Sequence, residues 1–160
     1  MKLIGRLLRL IVLAFFGSLI ASAAIAAQRK QNAPPPPDEA ADEIELVTIF
    51  EQLDFRSRAA AFRGGRVECW FGGGTLDLRG ATLAPEGAVL QVQAIFGGGT
   101  IIVPEDWTVT TSVLGIGGAG DTRGTAGSIG GPRLEIEGLA LFGGFGVMSE
   151  DPRGFERATI

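Results

Sequence analysis

A thiol, two pairs of charged side chains, an acidic dipeptide, a glycine string and two tryptophans are the places where this sequence could do chemistry. Cys69 is the single cysteine, and the chain has no histidine to draw its proton, so it lacks the usual partner of a thiolate nucleophile. Its alternation with Val67 and Phe71 predicts a buried packing thiol instead. Asp77 with Arg79, and Glu135 with Glu137, have the types needed for general acid–base work. Two-residue spacing puts each pair on one face of a strand, where solvated charges are the default. Glu105-Asp106 follows Pro104 and reads as a turn cap in preference to a weak calcium site. Gly115-Ile116-Gly117-Gly118-Ala119-Gly120 matches G-x-G-x-x-G, but Asp121–Gly127 cannot open the helix that would face a pyrophosphate. The sequence therefore predicts no catalytic residue, no cofactor and no metal site. Trp70 and Trp107 are the candidates for a partner surface, since exposed tryptophan anchors interfaces; the competing reading is that both cover the core.

Composition narrows the class further. The chain has 160 residues, a net charge of −4 and neither histidine nor tyrosine. Mild acidity argues against nucleic-acid binding, which needs a basic face. One cysteine excludes an internal disulfide. Glycine reaches 25 residues, well above ordinary usage, and is clustered rather than spaced in threes, so collagen is excluded.

Four regions follow along the chain. Residues 1–27 open with Lys2, Arg6 and Arg9 and continue as an almost unbroken apolar run, long enough for one bilayer crossing. This predicts a single-span transmembrane anchor, flanked beyond by Arg29 and Lys30. The alternative is a cleaved secretory signal, for which Ala21–Ala27 offers small-residue sites. The denser positive charge at the N-terminal end places that end in the cytoplasm and the body outside it. Residues 28–43, with Pro34–Pro37 followed by Asp38, Glu39, Asp42 and Glu43, read as an extended, solvated tether. Residues 44–150 alternate with period two in short runs that stop at Gly, Pro or Asp, as strands do. Residues 151–160 read as a frayed tail, and Gly115–Gly131 as a glycine-rich mobile loop.

One string recurs within the third region. Phe71-Gly72-Gly73, Phe96-Gly97-Gly98 and Phe142-Gly143-Gly144 each join two apolar runs, with looser copies at Leu114–Gly118 and Phe62–Gly65. Such self-similarity predicts a repetitive all-β body, a right-handed β-helix or solenoid whose turns are the glycine pairs. The glycines would supply positive φ and allow close approach of stacked backbones, and each preceding Phe would plug the core. A β-sandwich with glycine-rich hairpins is the alternative.

The strings Phe71-Gly72-Gly73, Phe96-Gly97-Gly98 leading into Ile101-Ile102-Val103-Pro104-Glu105-Asp106-Trp107-Thr108-Val109, and Leu134–Gly144 resemble the C-terminal domain of the LiaF-like family, the bacterial cell-wall-active-antibiotic response proteins. The resemblance spans about Phe62 to Met148. It implies a membrane-associated bacterial protein with a β-solenoid-like domain that modulates a sensor kinase reporting envelope stress, and it carries no catalytic residue. Together the readings lead to a non-enzymatic, membrane-tethered β domain that binds an envelope protein, with a self-assembling scaffold as the alternative.

Overall fold

A computed structural model describes residues 2–32, 35–117, 122–127 and 130–150. The chain divides into two compact units, Met1–Ala33 and Pro34–Ile160.

The first unit is a single helix, α1 (Lys2–Gln31). Its Ile4–Ile25 stretch has a mean hydropathy of 2.2 and none of it is buried. At 1.5 Å per residue these residues span about 33 Å, close to the thickness of a hydrocarbon core. The helix is long and apolar enough to cross a membrane. It also runs four residues past the predicted boundary at 27, because Gln28 to Gln31 are adequate helix formers and the break comes only with the prolines.

The second unit is built from strands. In chain order these are β1 (Glu43–Ile49), β2 (Leu53–Arg56), β3 (Gly64–Trp70), β4 (Gly73–Asp77), β5 (Ala88–Ile95), β6 (Gly98–Pro104), β7 (Thr108–Ile116), β8 (Thr122–Gly127), β9 (Arg133–Leu141) and β10 (Gly144–Glu150). They form a six-stranded sheet ordered β1-β3-β5-β9-β7-β8 and a four-stranded sheet ordered β10-β6-β4-β2. Every pairing is parallel except β7 with β8. The body is thus all-β and mostly parallel, and apart from β7 and β8 its neighbouring strands are not consecutive antiparallel pairs such as a glycine-rich sandwich would use.

The chain alternates between the sheets: β1 to β2, β3 to β4, β5 to β6 and β9 to β10 each cross from the larger to the smaller. A third row of backbone runs beside them, where Phe62 N–H donates to Thr82 O (2.7 Å), Thr82 N–H to Ala59 O (2.8 Å) and Arg63 N–H to Asp42 O (2.7 Å). One detour interrupts the order. After β6 the chain lays down β7, turns back through antiparallel β8, and only then fills the gap with β9. Of the described residues in the predicted Gly115–Gly131 loop, most are strand: β7 extends to Ile116 and β8 occupies Thr122–Gly127. Small Gly, Ala and Thr side chains fit an edge strand as readily as a loop, so composition alone did not separate the two.

The acidic tether is also corrected in part. From Asp38 onward it is docked on the body: Arg58 N–H donates to Glu39 O (2.6 Å), Ala61 N–H to Asp42 Oδ1 (3.2 Å), and Arg58 pairs with Glu39 at 3.4 Å. Backbone groups of residues 58–63 need partners, and this segment supplies them. The predicted tail, 151–160, lies outside the described residues.

Core positions follow strand alternation. Leu46, Val67, Val92 and Val113 share one inward row of the larger sheet, facing Phe55, Leu76 and Ile101 of the smaller. Each rung thus buries branched side chains against the rung opposite, at roughly 1.5–3 kcal/mol per side chain.

Candidate interaction surface

The period of two fails at one place in each rung, and the failure builds the most distinctive surface of the molecule. Alternation puts Phe71 with Val67 and Cys69, and Phe96 with Leu90, Val92 and Ala94. Those partners are buried, but the phenylalanines are not in the core. Phe50, Phe71, Phe96 and Phe142 adopt φ of 55°, 55°, 53° and 53°. This left-handed conformation swings each ring off the inward row and turns the chain toward the second sheet. The predicted core plugs are therefore external, and positive φ at these turns falls on the phenylalanine, not first on the glycine.

A bulky residue in that region costs about 1–2 kcal/mol. Two repeated contacts offset it. The Phe50, Phe71, Phe96 and Phe142 N–H groups donate to Trp70 O, Ile95 O, Leu141 O and Ile116 O at 2.8–2.9 Å, extending the strand ladder around the corner. The rings also stack, with centroids 4.9, 5.3 and 4.9 Å apart and planes within 9° of parallel. Each such pair contributes about 0.5–1.5 kcal/mol beyond its burial.

The glycines after these rings serve close approach. A Cβ on Gly72 would stand 2.5 Å from Glu51 O, one on Gly97 would run into Gly72 O, and one on Gly143 into Gly97 O. Gly117 continues the corner beyond Phe142 with φ of 67°, and a Cβ on it would run into the Phe142 ring. Over its described residues, Leu114 to Gly117, the looser copy thus follows the corner of the repeat. Phe62–Gly65 does not: Phe62 is wholly buried, and Gly64 and Gly65 open β3. Phe50 is the ladder member the repeat failed to reveal, since Glu51 and Gln52 follow it where glycines follow the others.

The outcome is a corner strip of stacked rings. Its ends are exposed, Phe50 at 64% and Phe142 at 53%. Beside Phe142 the strip broadens through exposed Ile116 and Leu114 and half-buried Leu139 and Leu141, which face one another across the β7–β9 pair. Contiguous exposed apolar side chains of this kind mark interaction surfaces.

The tryptophans do not form that surface. Trp70 is 5% and Trp107 3% exposed. Trp107 starts an inward row with Val109 and Val113 and belongs to the core. Trp70 lies on the opposite face of β3 from Cys69, and its Nε1–H donates to buried Glu68 Oε2 at 3.3 Å. Both are corrected from exposed anchor candidates to buried side chains, Trp107 in the core and Trp70 on the outer face of β3.

The remaining chemical candidates are structural in their surroundings. Burial pushes the Cys69 thiol up, against a smaller opposing effect of its hydrogen bond with Thr48. Asp77 is not solvated. Its carboxylate accepts from Arg79 Nη2 (2.7 Å), Nε (3.0 Å) and backbone N–H (3.1 Å) in a nearly buried pair. Burial would raise its carboxyl, but the Arg79 hydrogen bonds and the charges of Arg79 and Arg56 hold it below the ordinary value. Glu135 and Glu137 are exposed, as are Glu105 and Asp106 in the turn after β6. An open depression of about 630 Å³ on the larger sheet is lined by Glu43, Glu45, Arg63, Arg66 and Gln91, with Arg66 donating to Gln91 at 3.1 Å. Among the described residues, no three of Cys, Asp or Glu converge as metal ligands would. The chain after the G-x-G-x-x-G string is strand β8, not a helix.

No protein-family model matches the chain, and neither a curated protein nor a solved structure matches it.

Proposed function

We propose that this chain is a non-enzymatic, membrane-tethered right-handed β-solenoid that binds a protein partner in the bacterial envelope. The reading rests above all on the aromatic corner: four rings are held outside the core at a backbone cost, next to an exposed apolar patch of Leu114, Ile116 and Phe142. Parallel pairing of each strand with its counterpart one repeat away supports the solenoid. The apolar helix α1 supports the tether. Basic residues at its N-terminal end favour a cytoplasmic start and an external body. The resemblance to LiaF-like proteins supplies the partner class, an envelope-stress sensor kinase, and it stands on the sequence strings alone.

A photo-crosslinking residue in place of Phe142, in the full chain in native bacterial membranes, tests this reading. The expected product is a discrete adduct containing another envelope protein, at least five-fold weaker when Ile116→Asp is added. A ladder of self-adducts would instead make the protein a scaffold. Recovery of the mature chain from the soluble fraction, shortened at its N-terminus, would make α1 a cleaved signal.

A further inference from the structure

The two ends of the strand stack differ. At one end the larger sheet turns back on itself through antiparallel β8. At the other, the sheets end on β1 and β2, each paired on one side only among the described residues. Backbone direction fixes which β1 groups are free. In a parallel pair the N–H and C=O of alternate residues point to opposite neighbours. Phe50 N–H points to β3, so Thr48, Leu46 and Ile44 do too, and Glu45, Val47 and Ile49 point their backbone groups away from it. That outer row is an unpaired strand edge, which invites addition of another strand.

Two observations say what kind of strand fits. Residues 43–54, which carry β1 and the turn after it, hold Glu43, Glu45, Glu51 and Asp54 and no Lys or Arg, while outside them Arg58 pairs with Glu39 and Arg66 of β3 stands opposite Glu45. Glu43 and Glu45 flank the edge on its solvent face. A second copy meeting this end would set like charges against each other. The corner also rejects a second coil. At the inner corners the glycine Cα faces the previous rung's backbone, and a Cβ there would collide with it. The corresponding residue of the first rung is Glu51, whose Cβ occupies the space a stacked corner would need. A single strand lying along β1 and ending at the corner avoids that obstacle and leaves the outer face of Phe50 for an aromatic side chain.

We infer that the β1 edge is a docking site for an extended basic segment of another protein, with Lys or Arg on alternate residues and an aromatic residue at the Phe50 end. This deepens the partner-binding reading and depends on it.

The test uses the full chain in nanodiscs of zwitterionic lipid and a fluorescein-labelled Lys-Val-Lys-Val-Lys-Val-Phe peptide. The expected result is saturable binding that weakens as salt rises. Val47→Pro removes an outward N–H and no hydrogen bond to β3; it should weaken binding at least ten-fold with the melting temperature little changed. Glu45→Lys should weaken it about as much and flatten the salt dependence. Where Val47→Pro disturbs folding, the same peptide N-methylated on alternate residues reads the loss with wild-type protein. Binding equal for Val47→Pro and wild type, equal for the N-methylated peptide, or no saturable binding would overturn the inference. So would a concentration-dependent dimer that Val47→Pro abolishes, because the occupant would then be a second copy. Persistence of the Phe142 crosslink in any of these cases would leave the broader partner-binding reading standing.

Discussion

The tryptophans and the corner phenylalanines occupy opposite environments, and size does not decide which is which. Trp107, the larger side chain, is in the core, whereas Phe50 and Phe142 are more than half exposed. What separates them is one backbone dihedral. Trp107 enters a regular strand, so alternation carries it inward with Val109 and Val113. Each corner phenylalanine has φ near 55°, which rotates its Cβ off the row that alternation assigns. Burial in this fold is a property of the backbone conformation first and of side-chain hydrophobicity second.

The comparison predicts a ranking of substitutions. Trp107→Ala should have the largest effect, about 3–5 kcal/mol, because a core aromatic is lost and its cavity stays; chemical denaturation reads it as a lower midpoint at constant slope. Asp77→Asn extends the contrast to charge. It leaves the Arg79 guanidinium nearly buried without its counter-charge, and breaking such a pair costs roughly 3 kcal/mol.

Acid titration of the wild type gives the matching pH signature. The folded Asp77 value is lowered, so its stabilisation is complete above the unfolded carboxylate value of about 3.9 and fades as pH falls through the lower folded one. Asp77→Asn should lack that component; an unchanged acid profile would remove Asp77 from the account.

Smaller effects separate ring from backbone at the corner. Phe71→Asn keeps a residue that tolerates positive φ and deletes two stacking contacts, so a loss of about 1 kcal/mol is expected. Phe71→Val adds a β-branched residue in a region it resists and should lose about twice as much. Equal midpoints for the two variants would mean that stacking alone, without the backbone conformation, sets the corner. Phe50→Asn loses one stacking partner instead of two and should be the mildest of the set.

Much of the fold was legible in the chain. The apolar run of α1, the period of two in β5, β7 and β9, and three of the Phe-Gly-Gly corners all follow from local pattern. The surface was less so. A repeat search keyed on glycine pairs finds Phe71, Phe96 and Phe142 but not Phe50, because the first rung has no earlier rung to approach and so tolerates Glu51. The same string search admits Phe62–Gly65, whose phenylalanine is core.

By itself the sequence determined composition-level exclusions, the division into an apolar helix and a β body, and the inward rows of most strands. These rest on local hydrophobic period and glycine content, which neighbouring residues carry alone. Only the tertiary structure decided that β9 enters between β5 and β7, that the acidic segment from Asp38 docks on residues 58–63, and that the rings stack outside while Trp107 enters the core. Each of those depends on contacts between residues far apart in the chain, and on backbone dihedrals fixed when stacked rungs share hydrogen bonds.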